Sequence, residues 1–222
     1  SQRFIDRLGV EGRAGYIFQT NPFLEYSNHQ YKAMKNAYAG HLKYSFQLRP
    51  HTVADQAYIG AYQGIGVGYF NFGNPEELGN PLAVYLFQGG RIAQFSPRIS
   101  LNYEWNFGAS FGWKPYDEYD NPENQIIGSK VNAYLNVNLY LKWALSPKFD
   151  LMIGATGSHF SNGNTQYPNS GLNTVDCKVG LVYNFNRRAD ELAQSWQRPI
   201  VPPFTRHVSY DLTLFCLLYT SD

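Results

Sequence analysis

The chain has 222 residues and a formal net charge of +1, from 18 Lys+Arg against 17 Asp+Glu. That balance argues against a nucleic-acid partner, and no apolar run reaches the ~18 residues that a transmembrane helix requires. The mean hydropathy is negative, which would suit a soluble protein, but a membrane barrel with a polar interior and polar loops averages the same way. The aromatic load is heavy, with 15 Phe, 18 Tyr and 4 Trp. The start at Ser1, with no Met and no charged-then-apolar leader, reads as a processed form or a fragment.

In chain order, residues 9–19, 37–47, 58–72 and 82–93 read as strands, the last on a weak two-fold pattern. Residues 99–113 alternate almost without fault. Ile99, Leu101, Tyr103, Trp105, Phe107, Ala109, Phe111 and Trp113 fall on one face, and Ser100, Asn102, Glu104, Asn106 and Ser110 on the other. Residues 131–143 repeat the pattern, with Val131, Leu135, Val137, Leu139, Leu141 and Trp143 opposite Asn132, Tyr134, Asn136, Asn138, Tyr140 and Lys142. Such alternation marks a strand with one apolar and one polar face. Both segments exceed the usual globular strand of about 5–6 residues and are long enough to cross a bilayer when tilted, which takes about 9–11. Residues 149–158 and 174–185 complete a set of eight. The links near 94–97 and 146–148 are short, and those near 71–81, 114–129 and 161–172 are long. Alternating short turns and long loops predict an all-β, antiparallel up-and-down transmembrane β-barrel of eight or more strands, spanning residues 1–186.

Beyond that, residues 187–206 read as a charged and proline-rich connection, and 207–215 as the start of a further strand. Residues 216–222 resemble translated adaptor sequence and read as a non-native tail. Cys177 lies mid-strand and Cys216 in that tail; a disulfide between them is possible in an oxidising compartment, but Cys216 is the suspect partner.

The seventh strand ends in His159-Phe160-Ser161-Asn162. Period two puts His159 and Ser161 on the face of Leu151, Ile153 and Ala155. If that face meets lipid, a base and a nucleophile point into the membrane. An enzyme built this way acts on a lipid lying beside it. After a short loop comes Pro168-Asn169-Ser170-Gly171-Leu172-Asn173, and Asn173 shares its parity with Val175 and Val179. A lone His or Ser at a strand end is ordinarily just a polar rim residue. The i, i+2 pair on an apolar face, with an Asn on the next strand, makes the functional reading the stronger one.

At these residues the chain resembles the lipid A 3-O-deacylase (PagL) family, also called acyloxyacyl hydrolases. His159-Phe160-Ser161-Asn162 and Pro168-Asn169-Ser170-Gly171 match that family's motif at its spacing. The resemblance implies an eight-stranded outer-membrane enzyme of a Gram-negative bacterium, with lipid A of lipopolysaccharide and outer-membrane lipid as partners and a homodimer left open. It makes His159 the base, Ser161 the nucleophile and Asn162 a contributor to the oxyanion hole, with no metal or organic cofactor. The family usually carries Glu where this chain has Asn173. An Asn can accept the imidazole N–H and set its tautomer, but it cannot stabilise an imidazolium by charge. A reduced rate or a carboxylate from elsewhere is the corresponding expectation; Asp176 has the wrong parity to supply it.

The bland readings of the remaining features prevail. The aromatic stripes are lipid-facing packing, and Cys177 is a small hydrophobe. Glu104, Lys142, Asp176 and Lys178 belong to a polar interior, and Asp117, Glu118, Asp120 and Glu123 to a solvated acidic loop rather than a cation site. Eight strands leave no transport channel. The leading expectation is a serine esterase removing an acyl chain from lipid A. The alternative is a non-catalytic barrel, a structural anchor or adhesin. A phospholipase is a weaker third.

Overall fold

The structure, a computed structural model, describes residues 3–52, 55, 58–163 and 170–193. The 187–206 connection from residue 194 onward, the 207–215 strand, the 216–222 tail and Pro168-Asn169 of the motif all lie outside the described residues. Eight antiparallel strands follow one another: β1 (Phe4–Ile17), β2 (Asn36–Leu48), β3 (Tyr62–Asn71), β4 (Leu82–Gln94), β5 (Ile99–Phe111), β6 (Val131–Ala144), β7 (Phe149–Ser161) and β8 (Leu172–Asn184). Each pairs with its sequence neighbours, and β1 pairs with β8 along Arg7↔Asn184 to Ile17↔Thr174, closing the barrel. Closure removes every free strand edge.

The alternation read from the sequence sorts side chains into an outside and an inside. On β6, Leu135, Val137 and Leu139 are 43%, 66% and 50% exposed, while Tyr134 and Tyr140 are buried. The outward residues of the other strands, including Val10, Leu42, Ile65, Phe107, Ile153 and Val179, are likewise exposed. An apolar exterior around a filled, partly charged interior is the inverse of a soluble core, and it suits hydrocarbon outside the barrel.

The interior has two parts. At mid-height Glu11 is ringed by cations: Arg13 Nε at 2.6 Å, and Lys43 Nζ and Lys178 Nζ each at 3.3 Å. Lys43 also meets Glu104 at 2.5 Å. Glu104 and Lys178 thus join a network as expected, but Arg13 and Lys43 come from strands whose polar face the sequence showed less clearly. Above this network lies an aromatic plug. Phe160 packs edge-on to Phe70 (5.1 Å between ring centroids), and Trp113 stacks on Phe72 at 5.6 Å.

Trp113 corrects the sequence reading, which set it on the outer face at the end of a strand 99–113. β5 stops at Phe111, Gly112 has φ +88°, and Trp113 turns inward, 3% exposed, its indole N–H donating to Ser110 Oγ at 2.8 Å. A left-handed glycine breaks the period-two alternation, so parity no longer predicts the face. β1 also begins earlier than expected, and β4 owes its weak pattern to a register shift between Arg91 and Ala93.

The short turns at 95–98 and 145–148 mark the periplasmic end. The 49–61 connection at that same end is long and breaks the simple rhythm of turns and loops. Within it Asp55 accepts from the His51 and Gly60 backbone N–H groups. The expected connection after residue 186 starts as a clamp across this end. Arg187 donates to Asp150 at 2.9 Å, and Arg49 to Glu191 at 2.6 Å, with a 3-10 turn at Ala189–Glu191.

Candidate active site on the lipid-facing rim

The upper ends of β7 and β8 pair His159 opposite Asn173. Both residues carry outward parity, and both are half-buried, as is Ser161. Register therefore brings the three side chains together with no special loop conformation. His159 Nδ1 lies 2.7 Å from Asn173 Oδ1, and His159 Nε2 lies 3.1 Å from Ser161 Oγ. An amide oxygen only accepts, so the shared proton sits on Nδ1. Nε2 is then left with its lone pair toward the Ser161 hydroxyl, the arrangement a general base needs. On β8, Asp176 faces the interior and accepts from Thr174 Oγ1, so it offers His159 no carboxylate. Asn162 follows β7 directly, half-buried beside Ser161.

The turn into β8 supports the pair. Gly171 has φ +75°, and a Cβ there would meet His159 Cε1 at 3.1 Å and the Phe160 carbonyl oxygen at 3.2 Å. Glycine is thus required twice over, by the left-handed backbone and by the imidazole against it. The main chain on either side is tied down. Phe18 N–H donates to the Asn173 carbonyl at 3.0 Å, Gly171 N–H to the Ile126 carbonyl at 3.2 Å, and Asn21 Nδ2 to Ser170 Oγ at 3.0 Å. Sequence reasoning quoted Gly171 only as part of a motif. It missed Asn21 and residues 124–127 altogether, because nothing local in those loops indicates which distant turn they reach.

Below the pair, on the outer face of β7, lie Gly157 and Ala155. Gly157 is flanked by Val137 of β6 and Val175 of β8. A Cβ added to Gly157 would meet nothing closer than 3.8 Å, so backbone packing does not demand a glycine there. By contrast, a Cβ at Gly154, facing inward, would strike the Leu139 carbonyl at 2.3 Å.

The acidic loop is committed to its own shape. Asp117 Oδ1 accepts from the backbone N–H groups of Tyr119 and Asp120, each at 2.9 Å. Those two donors, Asp120 first, hold its carboxyl below the usual range. Among the described residues, no group of three or more His, Cys, Asp or Glu is arranged to hold a metal ion.

A closed eight-stranded barrel with an apolar exterior is an outer-membrane barrel, and this one carries a hydrogen-bonded His–Ser pair on that exterior. Residues 85–182, a little under half of the chain, match the family model described as lipid A 3-O-deacylase (PagL), and that span contains His159, Ser161 and Asn173. The chain is a PagL-like barrel of the Gram-negative outer membrane.

No curated protein matches the chain. Solved structures similar to it include neisserial surface protein A (10% identity, 82% of this chain and 96% of that one, TM-score 0.47). The outer-membrane enzyme PagL is similar at 13% identity over 78% and 97%, with TM-score 0.45. The N-terminal barrel of Pseudomonas aeruginosa OprF is similar at 9% identity over 82% and 99%, with TM-score 0.44.

Proposed function

We propose that this barrel is a serine esterase that removes an ester-linked acyl chain from lipid A, the activity named by the family it resembles. The supporting observation is the contiguous Asn173–His159–Ser161 hydrogen-bond relay on a surface that faces hydrocarbon. His159 Nε2 takes the Ser161 proton as Oγ attacks the ester carbonyl carbon. The tetrahedral oxyanion is met by Asn162 and nearby backbone N–H groups. Collapse breaks the bond to the sugar oxygen, which leaves with the proton from His159. Water, deprotonated by the same imidazole, then attacks the acyl–Ser161 ester and releases the fatty acid. Asn173 holds the imidazole in the required tautomer throughout.

The test is acyl release from purified lipopolysaccharide in detergent, followed by mass spectrometry of the lipid A. Ser161→Ala is expected to abolish release while the barrel stays folded. Release at the parent rate by Ser161→Ala would overturn the mechanism. An inert, folded parent chain would favour the anchor or adhesin reading, with Asn173 in place of the family's Glu as its sign.

A further inference from the structure

The relay is held from above by a segment that supplies none of its atoms. Residues 124–127, in the long loop between β5 and β6, cross the mouth of the barrel. Ile126 and Ile127 are fully buried in the aromatic plug. The Gln125 and Ile126 carbonyls accept the N–H groups of Ser170 and Gly171 at 3.3 and 3.2 Å. Gly171 in turn lies against the His159 ring.

One side chain fixes that segment. Asn124 is fully buried, and its amide is used on both sides. Nδ2 donates to the Glu77 carbonyl at 3.0 Å and to the Lys114 carbonyl at 2.9 Å. Oδ1 accepts from the Ile126 and Ile127 N–H groups at 3.0 and 3.2 Å. The β3–β4 loop, through Glu77, and the start of the β5–β6 loop, through Lys114, are therefore joined to the stretch that braces the β7–β8 turn. Asn121, three residues earlier, makes the first kind of bond, donating to the Glu77 and Lys114 carbonyls at 2.7 and 3.3 Å, but none of the second kind.

We infer that Asn124 is a positioning residue for His159, acting through Ile126 and Gly171. As a proposal about catalysis it rests on the esterase reading above; as a statement about the imidazole it does not. Without Asn124, two buried N–H groups lose their acceptor. The Ile126 carbonyl is no longer held where Gly171 needs it, and the turn is free to move against the ring. A reacting group displaced by about 1 Å costs up to about a hundredfold in rate, so a partial loosening is expected to cost about tenfold or more.

The experiment compares the parent, Asn124→Ala and Asn121→Ala, each confirmed as a folded barrel by its gel mobility before and after heating. Two readouts are taken. The first is turnover of a medium-chain aryl ester in detergent micelles. Asn124→Ala is expected to lower kcat about tenfold or more with KM little changed, and Asn121→Ala to stay near the parent. The second is the downfield imidazole N–H resonance of His159, identified by its loss in Asn173→Ala. It is expected to persist in Asn121→Ala and to broaden or vanish in Asn124→Ala.

Equal effects of the two loop variants on both readouts would reduce Asn124 to a general loop brace and overturn the inference. So would a parent-like resonance and rate in Asn124→Ala. If the parent turns over no ester yet the resonance still depends on Asn124, the positioning role stands and the esterase reading falls.

Discussion

Asn173 is the residue at which geometry and charge part company. Its Oδ1 meets His159 Nδ1 at 2.7 Å, so orientation of the imidazole is complete without a carboxylate. What is missing, under the proposed mechanism, is charge opposite the imidazolium that would form as Ser161 loses its proton. A Glu at this position reaches the same nitrogen and adds that charge. Asn173→Glu is therefore expected to raise the rate of acyl release. Asn173→Ala is expected to lower it by about tenfold to a thousandfold, because a ring with no partner at Nδ1 loses both tautomer and aim. Rates of fatty-acid release from lipopolysaccharide check both. A Glu variant slower than the parent would show that the site is built around a neutral partner.

At the scale of the element, β7 carries a different message on each of its faces. Inward, Gly154 is compelled by Leu139 and Tyr140. Outward, Gly157 is compelled by nothing, and it leaves space between Val137 and Val175 directly below His159. Under the proposed function, a lipid ester reaching Ser161 from the bilayer would lay its chain along this face. Gly157→Leu is expected to leave the barrel folded but to slow release of long acyl chains more than turnover of a short-chain ester. Parallel assays on the two substrates measure this, and an equal loss on both would point to distortion of the strand instead.

At the scale of the molecule, stability is concentrated in contacts that cross the barrel. Glu11 sits among Arg13, Lys43 and Lys178, all buried. Removing the carboxylate takes from these three cations the acceptor they share. Breaking a buried pair from one side costs about 3–5 kcal/mol, so Glu11→Ala is expected to lower the urea midpoint of unfolding in detergent strongly.

The loops have a tie of their own, at the extracellular end, where His29 Nδ1 meets Glu77 Oε1 at 2.5 Å and Nε2 meets Glu76 at 2.6 Å. The hydrogen bond to Glu77 raises the imidazole above its ordinary value. Burial pushes the Glu77 carboxyl up, but hydrogen bonds from Asn74 and His29 outweigh it and hold the carboxyl below its ordinary value. The His29 contribution is full below the unfolded-state value and fades as pH rises through the raised one. The Glu77 contribution is full above its unfolded-state value and fades as pH falls through the lowered one. The tie is thus strongest in the mildly acidic range. Limited proteolysis of the 18–35 loop is expected to speed up on passing to alkaline pH, and His29→Gln to remove that dependence.

The sequence by itself determined the barrel and the parity of its site. Alternation over 99–113 and 131–143, in strands long enough to cross a bilayer and joined by alternating short turns and long loops, pointed to an apolar face presented to lipid. The same parity set His159, Ser161 and Asn173 on one side before any coordinates, since period two is a property of the backbone. Only the tertiary structure decided the remainder. It closed the ring at eight strands, turned Trp113 inward after Gly112, clamped Arg187 beneath the barrel, and brought residues 124–127 onto the turn at Gly171. Those outcomes depend on residues far apart in the chain and on two left-handed glycines, Gly112 and Gly171. Loops carry no periodicity from which such meetings can be read. They are selected by which buried N–H and carbonyl groups can satisfy one another once the strands have been placed.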